Sequence, residues 1–188
     1  MSGEVLERLR RLVREQGGLI ATLVDHRVGG GANRRPAARG PAAVLADAPR
    51  TSDRREEYEL LVEAIYEGYL LHYGRARVVR AREADLALLA GDRLYAIGLA
   101  RLVALGDTLA VAELADTITL CALAHGAGDA RLAEAVWAAG VRAVGWGASA
   151  PHRRAKDLVL AGAPEALDAM LTCAATTAHS PSIGPRYC

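Results

Sequence analysis

Apolar residues return at helical spacing along most of this chain, and glycine, proline and aspartate interrupt them at intervals. Val5, Leu6, Leu9, Leu12 and Val13 line one face of a first helix over 4–16, which Gly17-Gly18 ends. Residues 19–28 fit a short strand or another helix, and periodicity alone does not separate the two. Gly29-Gly30-Gly31 opens a loop that runs through Arg34, Arg35 and Pro36, and a short apolar piece follows over 41–46. Asp53 and Glu56 have the spacing of a capping box. They start a long helix reaching about His72, with Leu61, Ala64, Ile65, Gly68 and Leu71 on one face. Gly74 can terminate it, and 75–82 reads as a basic connector.

The next helix covers about 83–105, where Gly91, Ala96 and Gly98 permit close helix contact at a cost in propensity. Gly106-Asp107 is a stop followed by an N-cap; the helix after it covers 108–125 and stops at Gly126. Asp129 caps another helix to about Val144, and Gly145-Trp146-Gly147 breaks the pattern. Ser149 and Pro151 begin a short helix ending near Gly162, and Pro164 sits at the first turn of a last one over 165–178. The pattern predicts an all-α protein of about six to eight antiparallel helices. It further predicts a single domain over 1–178 and a loose tail over 179–188.

Composition agrees. Of the 188 residues, 52% are hydrophobic and 24% charged, which is globular. Ala and Leu dominate and Phe is absent, a helix-forming mixture. Net charge is +1, so nothing general favours nucleic acid. Cys121, Cys173 and Cys188 are too few and too widely spaced for a disulfide or metal framework, which points to a reducing cytoplasm. The first residues are charged and amphipathic, unlike a signal peptide. The most apolar stretch, 102–124, is interrupted by Asp107, Glu113 and Asp116 and reads as a buried helix pair rather than a membrane span.

Three stretches, in order, resemble the N-terminal half of the trans-polyprenyl diphosphate synthases. GGGANRRPAARGPAAVLADAP from Gly29 resembles the family's GGKRLRP segment. AIYEGYLLHYGRARVV, 64–79, resembles the helix that ends in L-L-H-D-D-x-x-D. ADLALLAGDRLYAIGLARL, 84–102, resembles the helix carrying L-A-G-D, and Leu89-Ala90-Gly91-Asp92 is the most specific match. The resemblance covers 29–124. It implies an isoprenoid-synthase-like bundle, in which two aspartate-rich motifs hold Mg²⁺ against the leaving diphosphate and a basic cluster holds the second substrate. Here the three first-motif aspartates fall at Tyr73, Gly74 and Arg77, and no D-D-x-x-D occurs anywhere. Ala32 and Asn33 replace a basic pair, while Arg35-Pro36 remains and Arg34 is an additional cation.

Weak diphosphate-binding candidates are therefore Arg34, Arg35, His72 and Arg75. His72 matches the family's histidine before the aspartates, or is a helix-end residue bonded locally. Asp85 and Asp92 share a helical face and with Asp116 form a candidate carboxylate site. The plainer reading is a cap at Asp85 and a buried structural contact at Asp92. Tyr66, Tyr69 and Tyr73 form a stripe that is ordinary packing or, by the resemblance, a chain-length gate at Tyr69. Arg75, Arg77, Arg80 and Arg82 read as a solvated connector or a phosphate patch. The other histidines have no ligand spacing for zinc, and Cys121 reads as core.

The resulting expectation is a non-catalytic, isoprenoid-synthase-like accessory or regulatory subunit with no cofactor and no activity of its own. It would be a homodimer, or a heteromer with a catalytic prenyl synthase, able to meet a prenyl diphosphate ligand. A helical scaffold keeping only the fold, or a metal-independent prenyl-ligand binder, is the alternative. The helices over 58–73 and 85–105 would need cover from a partner.

Overall fold

The computed structural model describes residues 2–24 and 40–175. Its elements are α1 (Ser2–Glu15), α2 (Gly18–Thr22), two 3-10 turns at Pro41–Asp47 and Pro49–Arg54, α3 (Arg55–Tyr73), α4 (Ala84–Ala104), α5 (Thr108–Gly126), α6 (Ala130–Trp146), α7 (Ala150–Leu160) and α8 (Ala166–Ala175). The protein is all-α: among the described residues, the extended contact is a lone antiparallel bridge between Val24 and Val79. Residues 19–28 thus begin as helix. Arg34, Arg35, the triglycine loop and the 179–188 tail lie outside the described residues.

Three of the helix starts form as their sequences dictate. Asp107, Asp129 and Ser149 each accept a backbone N–H in the first turn of α5, α6 and α7, from Ala110, Leu132 and His152 respectively. The first two caps follow a left-handed glycine that stops the preceding helix, Gly106 (φ 79°) and Gly128 (φ 76°). Gly128, not Gly126, closes α5: its N–H reaches the His125 carbonyl, and the Asp129 N–H reaches that of Ala124. The Asp53–Glu56 capping box does not form. Asp53 belongs to the second 3-10 turn, and α3 has no side-chain cap.

Asp107 also ties the chain together. Tyr58 donates to its Oδ2 at 2.7 Å, and Arg50 bonds its Oδ1 while reaching the Val144 carbonyl at 2.8 Å. Burial raises the Asp107 carboxyl, but hydrogen bonds from Tyr58, the Ala110 N–H and Arg50 outweigh it and hold the group below the ordinary range. The Tyr58 hydroxyl is pushed up to about 12 by burial and by the Asp107 bond.

The core has two parts. The larger lies among the 3-10 turns, α3 and α5–α8, with Leu45, Ile65, Leu114, Trp137, Val141 and Met170 in it. The smaller lies under α1 and α2, where Leu9, Leu12 and Val13 meet Val78, Val79, Leu94 and Ile97. α3 and α4 divide the two, and each contributes to both. The two helices approach closely because glycine lines their contact. A Cβ on Gly98 would stand 2.3 Å from Ile65 Cγ1, and one on Gly68 would stand 2.9 Å from the Gly91 carbonyl oxygen. Ala96 takes no part and is exposed.

The expectation that α3 needs cover from outside fails for most of that helix. Tyr58 and Tyr69 are 8% and 7% exposed, buried by the protein's own elements. α4 keeps exposed apolar residues at Leu88, Leu89 and Val103. α5 alone among the described helices is long and apolar enough to cross a membrane. It packs on α6, with buried Glu113 and Thr117 on its inner side.

The α3–α4 contact yields a direct check. Gly98→Val should lower stability by about 1–3 kcal/mol, the usual cost of forcing methyl groups into a filled contact. Ala96→Val, on the exposed side of α4, should stay within about 0.5 kcal/mol. Urea midpoints of the two variants test this difference.

Candidate functional site

α3 carries two glutamates into the interior. Glu63 and Glu67 are one turn apart, so both face the same side, and their side chains are 2% and 0% exposed. Arg77, arriving after the turn that follows α3, places Nη2 2.6 Å from Glu63 Oε2 and Nε 3.3 Å from Glu67 Oε2. Glu67 Oε1 accepts the backbone N–H groups of Arg77, Val78 and Val79 at 2.7, 2.5 and 3.0 Å. Glu63 Oε1 accepts the Ala42 N–H at 3.1 Å. Gly40 packs so tightly on Glu63 that a Cβ would lie 2.0 Å from Oε1. The two carboxylates thus meet one guanidinium and four N–H donors, which is how buried charge is tolerated. Arg77, expected on a solvated connector, is turned inward, and its guanidinium also lies 5.0 Å over the Tyr66 ring.

Beside this network the tyrosine stripe becomes an aromatic wall. Tyr66 and Tyr69 stack at 5.5 Å, and Trp137 of α6 meets both, at 5.1 and 5.3 Å. Tyr73 stacks on His125 at 4.2 Å with nearly parallel rings, and the Tyr69 hydroxyl lies 2.9 Å from His125 Nε2. Burial raises the Tyr66 and Tyr69 hydroxyls, and the nearby Glu134 charge adds to both. Tyr66, Tyr69, Trp137, Glu134, Pro41 and Val44 line a cavity of about 450 Å³. The Trp137 Nε1 is buried with no hydrogen-bond partner among the described residues.

A third cluster joins α5 to α7. Glu113 accepts from Lys156 at 3.0 Å and lies 2.5 Å from His152 Nε2, while Lys156 also reaches Asp116 at 2.6 Å. Burial raises the Glu113 carboxyl, but the bonds and charges of His152 and Lys156 outweigh it and hold the group below its ordinary range. Burial works against the Lys156 ammonium, but its bonds to Asp116 and Glu113 raise it overall.

Of the residues singled out in the sequence, His72 and Asp92 do meet. His72 stacks on Tyr95 at 5.3 Å, in space left by Gly91, where a Cβ would stand 2.5 Å from the imidazole Cδ2. Its Nε2 lies 3.1 Å from Asp92 Oδ1, without the alignment of a hydrogen bond. Asp92 is not the buried contact expected of it: its side chain is 67% exposed. Arg75 is exposed beyond the end of α3, and Arg34 and Arg35 lie outside the described residues. Asp85, Asp92 and Asp116 are not gathered, and no group of three His, Cys, Asp or Glu among the described residues could hold a metal ion. Cys121 is core, its thiol raised by burial.

Glu63, Glu67, Glu113, His152 and Lys156 carry the internal chemistry, and none of them is among the site candidates named from the sequence. Their signals were present: acids spaced by one turn within the apolar run LLVEAIYEGYLL, and a single lysine in an otherwise arginine-based chain. Comparison with family models, curated proteins and solved structures returns no match, so the site is read from this chain alone.

Two measurements test these networks. Arg77→Met leaves two buried carboxylates facing each other and should cost about 3–5 kcal/mol. Adding Glu63→Gln should recover part of that loss in denaturant unfolding, because one of the two opposed charges is removed. For Glu113 the folded carboxyl lies below its unfolded value. Its contribution is therefore complete above the ordinary carboxylate range and is lost as the pH falls through that range towards the lowered folded value. Thermal unfolding should show this acid loss in the native chain and a shallower one in Glu113→Gln.

Proposed function

We propose that this chain is a non-catalytic relative of the trans-polyprenyl diphosphate synthases that works by binding another protein, as an accessory subunit of a catalytic synthase. The observation that carries the reading is the inward turn of Arg77. The resemblance places Tyr73, Gly74 and Arg77 where the synthases carry metal-binding aspartates. None is a carboxylate, and Arg77 is committed to Glu63 and Glu67. Those two acids, in turn, are saturated by Arg77 and backbone N–H groups and are not available as metal ligands. Such a helix pair supports structure and contact rather than diphosphate ionisation. The exposed Leu88, Leu89 and Val103 on α4 supply apolar surface for a partner.

A second reading, a helical scaffold that keeps only the fold, draws support from the burial of Tyr58 and Tyr69 by the chain's own elements. Those residues leave no α3 face in need of a synthase. The two readings differ in partner, not in catalysis.

The test combines the purified chain with a full-length trans-polyprenyl diphosphate synthase from the same source. The expected result is co-elution, loss of the complex in the Leu88→Glu/Leu89→Glu variant, and a changed product chain length. Co-elution failing across concentrations would leave the scaffold reading. Metal-dependent condensation of allylic and isopentenyl diphosphates by the purified chain alone would sink both.

A further inference from the structure

We propose that Tyr69, bonded to His125, is a site of one-electron oxidation: an oxidant in solvent takes the electron through Tyr73, and the Tyr69 phenolic proton passes to His125. The Tyr69 hydroxyl and His125 Nε2 are 2.9 Å apart. In the tautomer that carries its proton on Nδ1, the imidazole accepts from the hydroxyl at Nε2. A base within hydrogen-bond reach can take the proton in the same step that removes the electron. Tyr73, one turn further along α3, gives access. It is 42% exposed, its ring centroid stands 5.5 Å from that of Tyr69, and it stacks on His125 at 4.2 Å. Such separations are those of aromatic rings in contact. Tyr69 is 7% exposed, so an oxidant in solvent meets Tyr73 first.

The step balances without a further reactant. The oxidant gains one electron. Tyr69 loses one electron and one proton and becomes a neutral tyrosyl radical, and His125 becomes an imidazolium. Tyr73 ends unchanged. Two features direct the loss to Tyr69. Burial raises its hydroxyl, so no phenolate stands ready and the proton must leave with the electron. The Trp137 ring lies 5.3 Å away, but its Nε1 is buried with no hydrogen-bond partner among the described residues. An oxidised indole there would keep its positive charge in an apolar setting, which is costly. The Tyr69 radical is also shielded by the same burial from coupling with a second copy of the chain. The site does not use the α4 surface offered to a partner above, and its failure would leave that reading untouched.

The experiment is flash oxidation of the full chain by photogenerated tris(bipyridine)ruthenium(III), which returns to ruthenium(II) on taking one electron. A Tyr187→Phe background removes a tyrosine that lies outside the described residues. Tyrosyl absorption follows the kinetics, and electron paramagnetic resonance of frozen samples identifies the radical. A tyrosyl signal should form and outlast that of N-acetyltyrosinamide, and Tyr69→Phe should remove this long-lived signal. His125→Ala should slow its formation by about a hundredfold, the lower end of what a positioned base contributes. Added imidazole should restore the rate in that variant, which a merely structural role of His125 would not allow. A long-lived signal that persists in Tyr69→Phe, an unchanged rate in His125→Ala, a slowing that imidazole does not reverse, or no long-lived tyrosyl signal would each overturn the proposal.

Discussion

Two glutamates one turn apart on α3 sit inside the protein, and the chain on both sides is arranged to receive them. Their side chains have almost no access to water. Ionised carboxylates persist in such a place only when donors surround them. Here the donors come from separate segments: Ala42 ahead of α3, and Arg77 to Val79 behind it. Glu67 thus fixes the strand-like return that pairs Val79 with Val24, and Glu63 fixes the start of the first 3-10 turn. A buried ion network of this kind adds less stability than an apolar core of equal volume would. What it contributes here is register: the path of three segments follows from which N–H meets which oxygen.

The larger and smaller cores depend on that register. Val78 and Val79, held by Glu67, cover α1 and α4 in the smaller core. Leu45, placed by the turn that Glu63 begins, packs into the larger one. Between them α3 and α4 meet closely at glycine, with Ile65 seated against Gly98 and His72 against Gly91. The aromatic wall then fills the far side of α3, where Tyr66 touches both Arg77 and Trp137. The cavity beside these rings is therefore a by-product of the same arrangement that buries the acids.

The helices were legible because their signals are local. Left-handed glycines at the ends and Asp or Ser at the starts act within one turn, so Asp107, Asp129 and Ser149 could be read directly. Gly91 and Gly98 likewise announced a close contact. The internal acids were not legible, because a glutamate beside an apolar stripe looks the same whether it faces water or a distant arginine. Arg77 lay in a run of arginines that reads as solvated surface, and only the turn after α3 reveals which one points inward. Asp92 shows the converse: the motif around it suggested an interior position, yet it faces solvent on α4. Asp53 failed as a cap because the second 3-10 turn occupies the approach to α3.

Lys156 is the only lysine in the chain. In the folded protein its side chain is 15% exposed, and its ammonium is held protonated between Glu113 and Asp116. Acylation needs the neutral amine, so the folded state slows lysine-directed chemistry at the one lysine side chain. Acetylation there would remove a charge from the α5–α7 seam and leave Glu113 with His152 alone. The reactivity of Lys156 toward acylating reagents would accordingly rise whenever the α5–α7 seam loosens, making this residue a covalent reporter of local opening.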